Sequence, residues 1–145
     1  MQQSNYKAYN KALETLSHVD QIVMMYYVAI SYVQQAREAL IIKDYDKRFQ
    51  MLNKTALIIR TMRSDINPTA NKEMVEALNN FYAAMDQMIN EAQSSESTSI
   101  CDEIINHLRT IKNQWEVIAK MDISSEMKNN LSNDDVLKDG YDGCA

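Results

Sequence analysis

Glycine is nearly missing from this chain. It occurs only at positions 140 and 143, and proline only at 68. β-Hairpins and α/β connections depend on Gly-rich turns, so this scarcity weighs against sheet-based folds and favours helices joined by short connections. A glycine-poor body also has no loop able to cradle phosphate. Cysteine is equally sparse. Cys101 lies at an expected helix start and Cys144 in a polar tail, a pair that does not read as a disulfide framework. Met1-Gln2-Gln3-Ser4-Asn5 offers neither a basic start nor an early apolar stretch, so the expectation is a reducing, cytoplasmic setting without a signal peptide. Positive charge is in deficit as well: 15 Lys and Arg stand against 20 Asp and Glu, a net −5. That balance disfavours nucleic acid and anionic membrane surfaces, both of which reward clustered Lys and Arg.

Titratable groups fitted for catalysis are few. The two histidines are His18 and His107. His18 reads as a solvated first-turn residue. His107 begins His107-Leu108-Arg109-Thr110, which lacks the His-x-Leu-Lys-Gly run of histidine-phosphotransfer bundles. A di-iron bundle needs Glu-x-x-His on two helices, yet Glu103 precedes His107 by four positions and no second copy exists. Cys101 and His107 have no further ligands nearby, so zinc is unsupported. Asp102-Glu103 and Asp134-Asp135 read as helix-start and solubility charges. The expectation is a protein that is not an enzyme, with no catalytic, cofactor-binding or metal residues and no cofactor.

The chain does have apolar spacing. Its 145 residues suit one domain with a core that needs neither disulfide nor metal. Four helical segments are expected. The first spans about Val19 to Ile42, with Ser17 and Asp20 as a capping box. The second spans about Tyr45 to Ile66, capped by Asp44, with the stripe Phe49, Leu52, Ala56, Ile59, Met62 and Ile66. Asn67-Pro68 interrupts the chain. The third spans about Thr69 to Ala92, with Met74, Leu78, Phe81, Met85, Met88 and Ala92 in register. The polar run Gln93 to Thr98 is a loop. Ser99 with Asp102 is a second capping box, and the fourth helix shows Ile104, Leu108, Ile111, Trp115 and Ile118 in heptad-like spacing. Segments of similar length with short loops predict an all-α fold, an antiparallel four-helix bundle. A short N-terminal arm or helix precedes it. A polar, acidic tail that reads as disordered follows, giving a helical domain over 1–123 and a flexible segment over 124–145.

One stretch exceeds what a bundle core requires. Ile22 to Ile30 (Ile-Val-Met-Met-Tyr-Tyr-Val-Ala-Ile) is apolar around the whole helix for more than two turns. It is too short for a bilayer, which takes ~20 apolar residues, so no membrane insertion is expected. A docking face for a partner helix accounts for the surplus. Ten methionines suit an adaptable apolar surface, though core filling accounts for many of them.

Several runs, taken in order, resemble FliS, the flagellin-specific export chaperone family. Its first helix opens with Thr-Ala-Ser-Pro and continues through Leu-Ile-x-Met-Leu-Tyr-Asp-Gly-Ala-Ile; here Thr15-Leu16-Ser17-His18 is followed by Ile22 to Ile30. Two tyrosines three apart precede it, as Tyr6 and Tyr9 do. The second helix's Asn-x-x-Leu-x-Lys-Ala-x-x-Ile-Ile is similar to Phe49 to Ile59. The third helix's Glu-Ile-Ala and Leu-x-x-Leu-Tyr-x-x-Met resemble Glu73-Met74-Val75 and Leu78 to Met85, and a final helix ends near a tryptophan as Ile104 to Trp115 does. The likeness covers residues 6 to 120. The family's Asp-Gly is Tyr27-Val28 here, its helix-start Pro is His18, and the Gly-Gly before helix three is Ala70-Asn71-Lys72.

The resemblance implies a type III secretion chaperone that binds the C-terminal segment of flagellin in the cytosol, prevents premature polymerisation and aids export. It extends the partners to components of the export gate, with the free protein a monomer or weak homodimer. On this reading the partner-binding residues are Tyr6, Tyr9, Ile22, Met25, Tyr26, Ala29, Tyr82 and Met85. Phe81, Ile104, Leu108 and Trp115 are assigned to the core. The alternatives are a helical adaptor for some other amphipathic helix and, more remotely, a signalling bundle that uses His107.

Overall fold

The computed structural model describes the backbone of residues 18–142 and the side chains of residues 18–121. Among them are four helices, α1 (His18–Ile41), α2 (Tyr45–Ser64), α3 (Lys72–Ser94) and α4 (Ser99–Asp142). They form an all-α, antiparallel four-helix bundle. α1 packs most extensively, against α2 on one side and α4 on the other, and α3 closes the ring, with the thinnest seam between α3 and α4. Cross-links agree with the antiparallel order. Arg37, late in α1, pairs with Asp102, early in α4, at 2.6 Å. Arg63, late in α2, reaches Asn79, early in α3.

The connections are short despite the lack of glycine. α1 ends in a Schellman arrangement: the Asp44 amide donates to the Ala39 carbonyl at 2.8 Å, and the Lys43 amide donates to the Leu40 carbonyl at 3.1 Å. Lys43 therefore occupies the left-handed region, with φ 61°. Asp44 then caps α2, as expected, by accepting from the Lys47 amide. The other two starts differ from expectation. Asn67 accepts from the Thr69 amide in a local turn, and α3 begins only after Asn71, whose side chain accepts from the amides of Glu73 and Met74. At α4 the first helical amide bond runs from Asp102 to the Thr98 carbonyl. The Ser99 amide bonds back to the Ser97 hydroxyl, so the expected Ser99–Asp102 box is replaced by upstream serines and the Arg37 ion pair. The Ser17–Asp20 box involves a residue outside the described set.

One core runs through the bundle. Tyr26, Ala29, Val33, Ala36, Leu52, Ile59, Ile89, Cys101, Ile104 and Leu108 are all buried. Small residues Ala29, Ala36 and Ala39 let α1 approach its neighbours closely, and Thr55, the buried polar side chain, bonds its own turn at the Met51 carbonyl. Several stripe residues are less covered than their spacing suggests. Phe49 and Met74 are exposed, and Phe81 and Trp115, assigned to the core from sequence, are half-buried and packed against its edge. The α4 backbone continues helically to Asp142. The expected flexible tail falls on residues whose side chains lie outside the described set, as does the arm bearing Tyr6 and Tyr9.

Candidate partner-binding groove

The apolar run of α1 is neither sealed nor bare; it forms one wall of an open cavity. Ile22, Met24, Met25 and Val28 supply that wall. Met62 and Ile66 close one end, Met74, Val75, Leu78 and Tyr82 of α3 face them, and Trp115 of α4 completes the floor. The volume is about 480 Å³. The lining is mostly aliphatic and thioether, four of its members being methionines, which suits a surface that adjusts to an apolar ligand. His18, Gln21, Asp65 and Asn67 give the mouth a polar rim.

A second cavity of about 440 Å³ lies along the thin α3–α4 seam, lined by Ala77, Phe81, His107, Thr110, Ile111, Gln114 and Ile118. It shares Met74, Leu78 and Trp115 with the first. The two therefore join into one furrow passing on both sides of the first turns of α3. The furrow exists because α3 starts late and contacts its neighbours least, leaving its N-terminal half without a full helix-to-helix seam.

Beneath the floor lies a polar contact. The hydroxyls of Tyr26 and Tyr82 are 2.8 Å apart, joining the diagonal helices α1 and α3. Burial pushes the Tyr26 phenol far above its ordinary range, reinforced by the neighbouring Tyr82 hydroxyl and partly opposed by Trp115. Burial also raises Tyr82, partly offset by its hydrogen bond with Tyr26. Both are neutral hydroxyls at any physiological pH.

The expected site residues separate into three groups. Ile22, Met25 and Tyr82 line the furrow together. Tyr26, Ala29 and Met85 are core residues, exposed by 0%, 0% and 2%; Tyr26 meets the furrow lining at Tyr82. Tyr6 and Tyr9 lie outside the described residues. Sequence reasoning passed over Met24, Val28, Met62, Ile66, Val75 and Leu78 as wall residues, and placed Trp115 in the core. A signal for Trp115 existed, since tryptophan is highly but seldom fully buried.

Among the described residues no group of three or more His, Cys, Asp or Glu side chains could hold a metal ion. His107 is exposed at the second cavity. No described helix is long and apolar enough to cross a membrane.

Comparison with known proteins places this geometry. No curated protein matches the chain. Among solved structures, a crystal structure of a flagellar chaperone from bacteria superposes with a TM-score of 0.68 at 15% identity, over 80% of this chain and 98% of that one. It shares the fold. The family model described as flagellar protein FliS matches residues 1–122. That span takes in the whole bundle core and every wall of the furrow, and the chain belongs to the FliS family of flagellar chaperones.

Proposed function

We propose that this protein holds the C-terminal segment of flagellin in the cytosol, as an apolar helix laid into the furrow, and so keeps it from polymerising before export. The observation that carries the reading is the open, methionine-rich furrow itself, built on the one stretch of α1 whose apolar surface exceeds what the core consumes. A segment that is unstructured until it assembles loses roughly 1–2 kcal/mol of backbone entropy per residue ordered. Only an extended apolar contact offsets that, and two joined cavities provide more length than a single pocket. No step of this role needs catalysis. Export-gate components would meet the loaded complex on surfaces outside the furrow.

The arm bearing Tyr6 and Tyr9 enters the described body at His18, which stands at the furrow's mouth. On this reading the arm covers part of the apolar lining in the free protein, limiting association to a monomer or weak homodimer, and flagellin displaces it. Deleting residues 1 to 14 is expected to change peptide affinity or to increase self-association. If titration and sedimentation of the truncated protein both match the full chain, the covering role is wrong.

The test of the main reading is calorimetric titration with a synthetic flagellin C-terminal peptide, paired with capture of flagellin with and without that segment. Saturable binding that requires the segment is expected. Capture that is indifferent to the segment would favour an adaptor for some other helix.

A further inference from the structure

A third cleft, separate from the furrow, runs along the seam between α1 and α4. Its volume is about 310 Å³, and it shares no lining residue with either furrow cavity. α1 contributes Tyr27, Ser31 and Gln34, and α4 contributes Arg109, Lys112 and Asn113. At 3.6 residues per turn, the α4 set lies on the helix face opposite His107, Ile111, Gln114 and Trp115, which line the furrow. The chain as a whole is acidic, with 20 Asp and Glu against 15 Lys and Arg. This cleft reverses that sign: two cations line it and no carboxylate does. Lys112 is held in place. Its side chain is only 11% exposed, its ammonium sits 4.2 Å from the centre of the Tyr27 ring, and it donates to Glu116, one turn on, at 3.3 Å. An ammonium carries three donors, and Glu116 takes one of them. Arg109 is exposed and makes no hydrogen bond or ion pair among the described residues. A lone surface arginine needs no explanation. Two cations on one wall of a cleft, beside the amides of Gln34 and Asn113 and with no acid in the lining, suit an anionic occupant.

We infer that the α1–α4 cleft is a docking site for an acidic helical segment of a partner protein, one that presents two carboxylates a turn apart to Arg109 and Lys112. Arg109 supplies a planar fork that pairs with one carboxylate. Lys112, fixed by Tyr27 and Glu116, supplies a point charge to the other. The two cations are three positions apart on α4, so their β-carbons are neighbours at about 5–6 Å. Two glutamates four positions apart on a partner helix have the same separation. Tyr27, 53% exposed, gives that helix an apolar surface to rest on. The cleft lies across α4 from the furrow, so the acidic segment and a furrow ligand are held together without competing. The inference stands apart from the flagellin reading, since no furrow residue takes part in it.

The test is chemical-shift mapping on the isotopically labelled full chain at low salt. Three probes are titrated: a capped, alanine-rich helical peptide bearing two glutamates four positions apart, its glutamine twin, and inorganic phosphate. The glutamate peptide is expected to give saturable shifts confined to residues 27–34 and 109–113, and to lose them as salt rises. Arg109→Gln is expected to weaken that binding about two- to fivefold, the scale of one exposed ion pair. Arg109→Glu is expected to abolish it and to bind the lysine twin of the peptide instead. Thermal midpoints should stay unchanged in both variants, because Arg109 has no partner within the described fold. Equal binding of the glutamine twin, shifts scattered over the surface, or an affinity indifferent to Arg109→Gln would each overturn the site. Saturable phosphate binding at the same residues, with no gain for the peptide, would assign the cleft to a free anion and overturn the docking role.

Discussion

Lys43 shows what a single residue does in a helical body without glycine. The Schellman end of α1 needs a left-handed backbone at this position, and Lys43 adopts it with φ 61°. For an L-residue that conformation costs about 1–2 kcal/mol, while glycine would add unfolded-state entropy of roughly 0.5–1 kcal/mol. The difference favours the substitution. Lys43→Gly is expected to stabilise the fold by about 0.5–1 kcal/mol, read as a higher urea midpoint at unchanged m-value. No gain would mean that the turn is relaxed as it stands. Titration at the residue scale is equally direct. Burial raises Tyr26, Tyr82 and Cys101 above their ordinary values. In the unfolded chain these groups ionise near their usual values, about 8.5 for the thiol and about 10 for the phenols, while the folded chain holds their protons. Above those values the unfolded state binds fewer protons than the native state, so stability is full below about pH 8.5 and falls as pH rises beyond it. Chemical denaturation between pH 8 and 11 should show this slope, and Tyr26→Phe should flatten its upper part. A flat profile would contradict the burial of the hydroxyl pair.

At the scale of elements, α3 governs the furrow. Its first turn is held by Asn71, which accepts from the Glu73 amide at 2.9 Å and the Met74 amide at 3.4 Å. Met74, Val75 and Leu78, all furrow residues, follow within two turns. Asn71→Ala is expected to cost about 1 kcal/mol and to raise amide hydrogen exchange selectively in the first two turns of α3. Exchange rising uniformly over the bundle would show that α3 is not a separately weak element. The same helix marks where sequence reading stops. Asp44 as the cap of α2, the number of helices and their antiparallel order were legible, because caps, breakers and periodicity are local signals. The Asn67-Pro68 break predicts a start near Thr69, yet Asn71 is the cap and the helix begins at Lys72; a break marks where a helix can begin, not which following residue caps it. Phe49 and Met74 sit on the correct apolar stripe yet stay exposed. Periodicity reports which face of a helix is apolar, not how far along the helix a neighbour extends to cover it. Of the site, Ile22 and Met25 were legible because an all-round apolar helix is anomalous. The meeting of Tyr26 with Tyr82 was not, because nothing local registers two residues 56 positions apart on diagonal helices.

For the whole molecule, the decisive property is that one side of the bundle is left open while the opposite end is firmly closed. The α1–α2 turn and the Arg37–Asp102 pair tie the closed end together. The furrow lies toward the other end, where His18 and Asp65 stand at its mouth and Trp115 in its floor. A ligand can therefore enter without the core being dismantled, and the cost of binding falls on the ligand, which must order itself. Such coupled folding has a thermodynamic signature. Burial of 1,000–3,000 Å², the scale typical of coupled folding, gives a distinctly negative heat-capacity change, with favourable enthalpy opposed by ordering entropy. Titration of the flagellin C-terminal peptide between 10 and 35 °C should therefore show binding enthalpy growing steeply more favourable with temperature. The far-ultraviolet ellipticity of the mixture at 222 nm should exceed the sum of the separate components. The described helices of the protein are already formed, so they do not supply the excess signal. A mixture spectrum equal to the sum, with a temperature-independent enthalpy, would mean that the segment binds extended or only at the polar rim, and the helix-in-furrow mode would have to be abandoned even if the affinity were high.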